Sequence, residues 1–180
     1  MDENQFKQTL ETILDDLKTK LENSKGIAVF VKERAKFEGW LKVEIVDILY
    51  NKINPKKIIP EKYRVDIIFD DSALELKTVN TNYRQEGIEN KSKNITLNVK
   101  QLEDDINKLR NLHREDIKNK AILFVVFPLP EKNIEDFKTD HLKRLSVEEQ
   151  DIMCKQFNTV NFITNGIITN RIYCVIVREL

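Results

Sequence analysis

The chain has 180 residues, 41% of them hydrophobic and 33% charged, enough for one globular domain with a substantial core. Thirty basic side chains balance thirty acidic ones. No global basicity therefore announces nucleic acid, and any such partner has to be argued from local patches. The first residues, MDENQFKQTL, do not read as a signal peptide, and the longest apolar run, from Ala121, is too short to cross a membrane and is broken by prolines. Cys154 and Cys174 are expected to be reduced thiols of a cytoplasmic protein.

In chain order, Phe6, Leu10, Ile13, Leu14, Leu17 and Leu21 recur at helical spacing, which predicts an amphipathic helix over 3–23 packed on the body of the protein. Asn23-Ser24-Lys25-Gly26 ends it. A second helix is expected over 33–50, carrying Phe37, Trp40, Leu41, Ile45 and Ile48. After Asn54-Pro55 and Pro60 come two strands, 63–69 and 73–79, joined by Asp70-Asp71-Ser72. Residues 80–97 read as a long polar loop and 98–111 as a third helix. The continuous apolar run 121–127 reads as a central strand buried on both faces. Helices are expected over 133–144 and over 146–157, the latter opened by a capping box of Ser146 and Glu149. A terminal strand over 172–177 follows the turn Asn165-Gly166. The order predicts an α/β fold of mixed α+β character, with a central mixed sheet flanked by helices. One domain is expected over 1–180: an N-terminal helix (1–26), a catalytic core (33–127) and C-terminal helices and strands (128–180).

Charges inside the two strands are the unusual feature. Side chains alternate along a strand, so Asp66 on the first, and Glu75 and Lys77 on the second, can converge on one side of the hairpin. The chain has five acid-x-Lys triplets, and only Glu75-x-Lys77 lies in an apolar strand behind another acid-bearing strand. Two adjacent carboxylates repel each other, and a hard cation such as Mg²⁺ resolves this. The lysine can then orient or polarise a water, which is equipment for hydrolysing a phosphodiester. The alternative is an exposed sheet face with cross-strand ion pairs. On the second helix, Glu44 falls inside the apolar arc and is expected as a third carboxylate facing the site; the alternative is a boundary residue paired with a lysine. Glu38 lies nearer the edge of that helix.

These segments resemble the PD-(D/E)xK nuclease superfamily, with its restriction-endonuclease-like fold. The resemblance rests on Phe37-Glu38-Gly39-Trp40-Leu41-Lys42-Val43-Glu44, on Val65-Asp66-Ile67-Ile68-Phe69 and on Leu74-Glu75-Leu76-Lys77. It covers about residues 33–127. Val65 stands where the motif has proline. The resemblance implies Mg²⁺, with Mn²⁺ as a substitute, held by Asp66, Glu75 and the carbonyl of Leu76. It further implies Lys77 at the attacking water, Glu44 as the additional helix acid, and Gln101, with Glu38, in support. The implied activity is DNA cleavage in restriction or repair, by a chain that can act as a homodimer. RNA remains an open substrate. A catalytically inactive nucleic-acid-binding or protein-interaction domain of the same fold remains the alternative. Substrate contacts are expected from Lys52, Lys56, Lys57, Lys62 and Arg64 before the first strand, and from Asn80, Asn82, Tyr83, Arg84, Lys91, Lys93 and Lys100 after the second. Tyr83 beside Arg84 suits base stacking. His113 and His141 are expected at the surface.

Overall fold

Asp2 starts the first helix: its carboxylate accepts the Gln5 N–H while the Gln5 side chain accepts the Asp2 N–H, a reciprocal capping box. The structure, a computed structural model, describes residues 1–88 and 95–178; Lys91 and Lys93 lie outside the described residues. Helix α1 (Glu3–Asn23) buries the predicted stripe from Phe6 to Leu21 and packs across strand β5. Ser24 ends α1 and caps α2 (Lys25–Lys32). Helix α3 (Glu38–Ile48) runs on into a π-helical turn, Leu49–Ile53. The strands are β1 (Ile58–Lys62), β2 (Val65–Phe69), β3 (Ser72–Asn80), β4 (Asn119–Phe127), β5 (Ile152–Asn161) and β6 (Gly166–Ile176). Between them lie α4 (Ile95–Arg110) and α5 (Ile134–Asp140).

The six strands form one mixed sheet in the order β1-β2-β3-β4-β6-β5. Strands β3 and β4 are parallel, in register from Ser72 opposite Asn119 to Asn80 opposite Phe127, and α4 makes the crossover between them. The other pairs are antiparallel. On one face Leu10, Leu14, Leu17, Leu41 and Ile45 pack over Leu74, Leu76, Leu123 and Val125. On the other face Val99, Leu102, Ile106 and Phe137 cover Ala73, Val79, Ile122 and Phe124. The expected central strand is β4, buried on both sides. The fold is thus the mixed α/β architecture that the sequence predicts.

Several boundaries differ, among them the terminal strand expected over 172–177, which begins at Gly166, and the helix expected over 133–144, which is α-helical only from Ile134 to Asp140. The expected helix over 33–50 begins only at Glu38, because Arg34 adopts a left-handed backbone (φ 53°). The expected strand over 63–69 begins at Val65, because Tyr63 and Arg64 (φ 58° and 61°) form a two-residue turn from β1. That strand was hidden by Pro60, which the edge of the sheet tolerates. The helix expected over 146–157 is largely replaced by β5. Ser146, with φ 51°, closes the 3-10 turn Leu142–Leu145 instead of opening a helix, and pairing with β6 along Ile152–Asn161 overrides a weak helical period. His141 is buried against Phe137 instead of lying at the surface, and burial lowers its pKa. His113 is exposed. Both cysteines are free thiols. No described helix is long and apolar enough to cross a membrane.

Candidate active site

Strands β2 and β3 pair from Ile67 opposite Leu74 to Phe69 opposite Ser72, and then part. Asp66 and Glu75 stand where they separate. The Leu76 N–H donates to Asp66 Oδ2 at 2.9 Å, and the Asp66 N–H donates to Glu75 Oε2 at 3.3 Å. The carboxylates therefore occupy the notch that the ladder vacates and satisfy backbone donors there. One turn of strand further, Glu38 reaches in from α3: its Oε1 accepts the Thr78 N–H at 2.9 Å and the Thr78 hydroxyl at 3.0 Å.

Lysines approach the notch from both layers. From α3, Lys42 Nζ lies 2.8 Å from Asp66 Oδ1 and 2.8 Å from Glu61 Oε1. From α4, Lys108 Nζ lies 2.6 Å from Glu75 Oε1 and 3.7 Å from Asp105 Oδ1. Lys77 Nζ lies 2.7 Å from Asp105 Oδ2. Lys36 lies 3.8 Å from Glu38. Four acids at the centre, Glu38, Asp66, Glu75 and Asp105, thus meet four lysines.

Glu75 is 7% exposed. Burial pushes its carboxyl above the ordinary range, the bond from Lys108 opposes this, and the charges of Asp66 and Asp105 add to the rise. Burial works against the Lys77 ammonium, but Asp105, with Glu38 and Glu75 farther out, overrides it and holds the pKa above the ordinary value. Lys77 is therefore a cation at neutral pH, suited to orienting a water or holding developing negative charge, and not to accepting a proton. Lys42 is raised in the same way, burial being outweighed by Asp66 and Glu61.

Asp66 and Glu75 meet across the β2–β3 notch, and Lys77, two residues on from Glu75, feels the Glu75 charge while its own contact is Asp105 on α4. The structure places Glu44 elsewhere. The Glu44 carboxylate sits 2.6 Å from Lys20 on α1, and Asp47 shares that lysine at 3.0 Å. Glu44 is the lysine-paired boundary residue, and Glu38 is the α3 acid at the notch. The reason is that α3 touches both the sheet and α1, and a helical period alone cannot say which neighbour an acid faces. Gln101 is exposed on α4, one turn before Asp105. Lys42, Asp105 and Lys108 were missed; their signals were the i+4 spacing of Lys42 from Glu38 and the i+3 spacing of Lys108 from Asp105.

Around the notch, Arg64 lines a shallow depression with Lys42, Glu61 and Asp66. Lys57 is exposed. Lys62 lies 4.8 Å from the centre of the Tyr63 ring, whose face Arg114 covers at 3.6 Å. Asn82 and Arg84 are exposed, whereas Tyr83 packs against the apolar cluster under α4 and α5 and is no open stacking platform. Arg34, which the sequence did not single out, is 1% exposed. Its guanidinium donates to the carbonyls of Thr81 and, at 2.9 Å, of Tyr83, riveting the chain as it leaves β3.

No family model, no curated protein and no solved structure matches this chain. Among the described residues, no three His, Cys, Asp or Glu side chains gather as a metal-binding group. The donor set at the notch is instead two carboxylates, Asp66 and Glu75, held beside the Leu76 N–H. These are hard oxygen ligands of the kind Mg²⁺ accepts while retaining several waters, so the residues present fit the ion chemically.

Proposed function

We propose that this chain is a Mg²⁺-dependent nuclease of the PD-(D/E)xK type that hydrolyses DNA phosphodiester bonds. The observation that carries this reading is the β2–β3 notch, where Asp66 and Glu75 fill a broken ladder with Lys77 on the same strand face. The succession α3, β1–β2–β3, α4, β4 is consistent with it. Asp66, Glu75 and the Leu76 carbonyl would hold Mg²⁺, with Mn²⁺ as a substitute. When bound, the ion supplies Lewis acidity and charge at the scissile phosphate. Lys42 and Lys108, which neutralise the two carboxylates, exchange that role for contacts with substrate or solvent. Lys77, fixed by Asp105, orients the attacking water and stabilises charge on the phosphoryl oxygens. Arg64, beside Asp66, steadies a neighbouring phosphate. A role in restriction or repair in the cytoplasm, as a homodimer, belongs to the same reading.

A second reading is favoured by the match of four lysines to four acids: a domain that binds nucleic acid or protein without hydrolysing anything, its acids held in ion pairs. Plasmid cleavage in Mg²⁺ separates the two. The nuclease reading expects nicking or linearisation by the wild type, and a loss of about 10²–10³-fold in Lys77→Ala. Mg²⁺ should also raise the melting temperature of the wild type and not that of Asp66→Ala. Equal inertness of wild type and Lys77→Ala on duplex, single-stranded, branched and RNA substrates gives the second reading the chain.

A further inference from the structure

Beside Glu38, residues of α2 and the start of α3 line a half-open cavity of about 360 Å³. Its walls are aromatic: Phe30, Phe37 and Trp40 line it together with Lys36, Glu38 and Gly39. Phe37 is buried and fixed, 5.1 Å from Phe127 in the core and edge-on to Phe30 at 6.5 Å. Phe30 is 44% exposed. At Gly39 an added Cβ would meet nothing within 4 Å, so the space beside it is open. Trp40 is only partly buried.

Aromatic walls with a carboxylate among the lining groups suit a flat π-system carrying N–H donors. Glu38 supplies that carboxylate. Among the described residues its hydrogen bonds and its ion pair all fall on Oε1. This leaves Oε2 to accept from a ring or exocyclic N–H. Lys36, exposed and 3.8 Å from Glu38, supplies a cation beside the opening. The same Glu38 that forms the wall binds Thr78, the residue after Lys77. The cavity and the notch therefore share one side chain.

We propose that this cavity receives one unpaired nucleobase of a single-stranded nucleic acid whose backbone continues to the β2–β3 notch. The inference rests on the reading of the notch as a site that acts on nucleic acid, and it adds a preference for strands that present an unpaired base. Bases inside a duplex are stacked and paired and do not reach such a cavity unless flipped out.

Trp40 is the only tryptophan in the chain, so its fluorescence reports directly on the cavity. The wild-type protein is titrated with a short oligodeoxyadenylate in EDTA, so that cleavage does not consume the probe. Saturable quenching is expected, weakened about tenfold for an abasic oligonucleotide of equal length or for a blunt duplex, because stacking on aromatic side chains is lost. Gly39→Leu, which fills the open space, should abolish the quenching while the melting temperature stays at the wild-type value. Equal quenching by the adenylate and abasic strands, or undiminished quenching in Gly39→Leu, overturns the proposal. Quenching by the adenylate without any cleavage in Mg²⁺ leaves the base pocket standing and removes the nuclease. Cleavage in Mg²⁺ with Trp40 silent does the reverse.

Discussion

Glu75 concentrates the electrostatic conflict of the notch in one side chain. It is buried, its carboxyl is raised first by that burial, and Lys108 answers only part of the cost. The native state therefore holds the Glu75 proton to a higher pH than the unfolded chain does. Its contribution favours folding below the ordinary value of 4.5 and is lost as pH rises through the raised native value. Glu75→Gln removes this titration. Melting temperatures of the two proteins should diverge in favour of the variant as pH rises from below 4.5 to neutrality, and parallel curves would show that Glu75 titrates alike in both states. A residue that costs stability where it stands is expected where function has placed it. At this scale the strand period made Asp66, Glu75 and Lys77 legible. Lys42, Asp105 and Lys108 were not, because their roles depend on which helices cover the notch.

The β1–β2 hairpin shows the same tension in an element. A two-residue turn with both φ values positive favours Asn and Gly, yet Tyr63 and Arg64 occupy it. Left-handed backbone costs an ordinary residue about 1–2 kcal/mol. Arg64 also lines the depression beside Asp66. Arg64→Gly should therefore raise stability by about 1 kcal/mol in urea unfolding, while weakening nucleic-acid binding measured by fluorescence anisotropy. A variant that gains stability and loses no affinity would remove Arg64 from the substrate contacts. Helix α3 teaches the complementary lesson. Its apolar arc is real, but Glu44 within it answers Lys20 on α1, and Glu38 at the first turn reaches β3. The hydrophobic pattern reports that a face is covered and not by what.

Across the whole molecule, one sheet carries both apolar layers, so a defect in either layer should be felt by the entire fold. Leu14 of α1 is fully buried in the layer on the α3 side, remote in sequence from every site residue. Leu14→Ala should lower stability by about 3 kcal/mol in a single cooperative urea transition that fluorescence and circular dichroism trace identically. Non-coincident transitions would mean that α1 unfolds as a separate unit.

By itself the sequence determined the α1 stripe, the central strand β4, the hairpin acids and the mixed α/β class. Each rests on a local period of two or about 3.6 residues that burial imposes on neighbouring side chains. Tertiary structure alone decided that β5 is a strand and that Glu38 displaces Glu44 at the notch. It alone formed an aromatic cavity between α2 and α3. These outcomes depend on which surfaces meet across the sheet, and no local period encodes the identity of a distant partner.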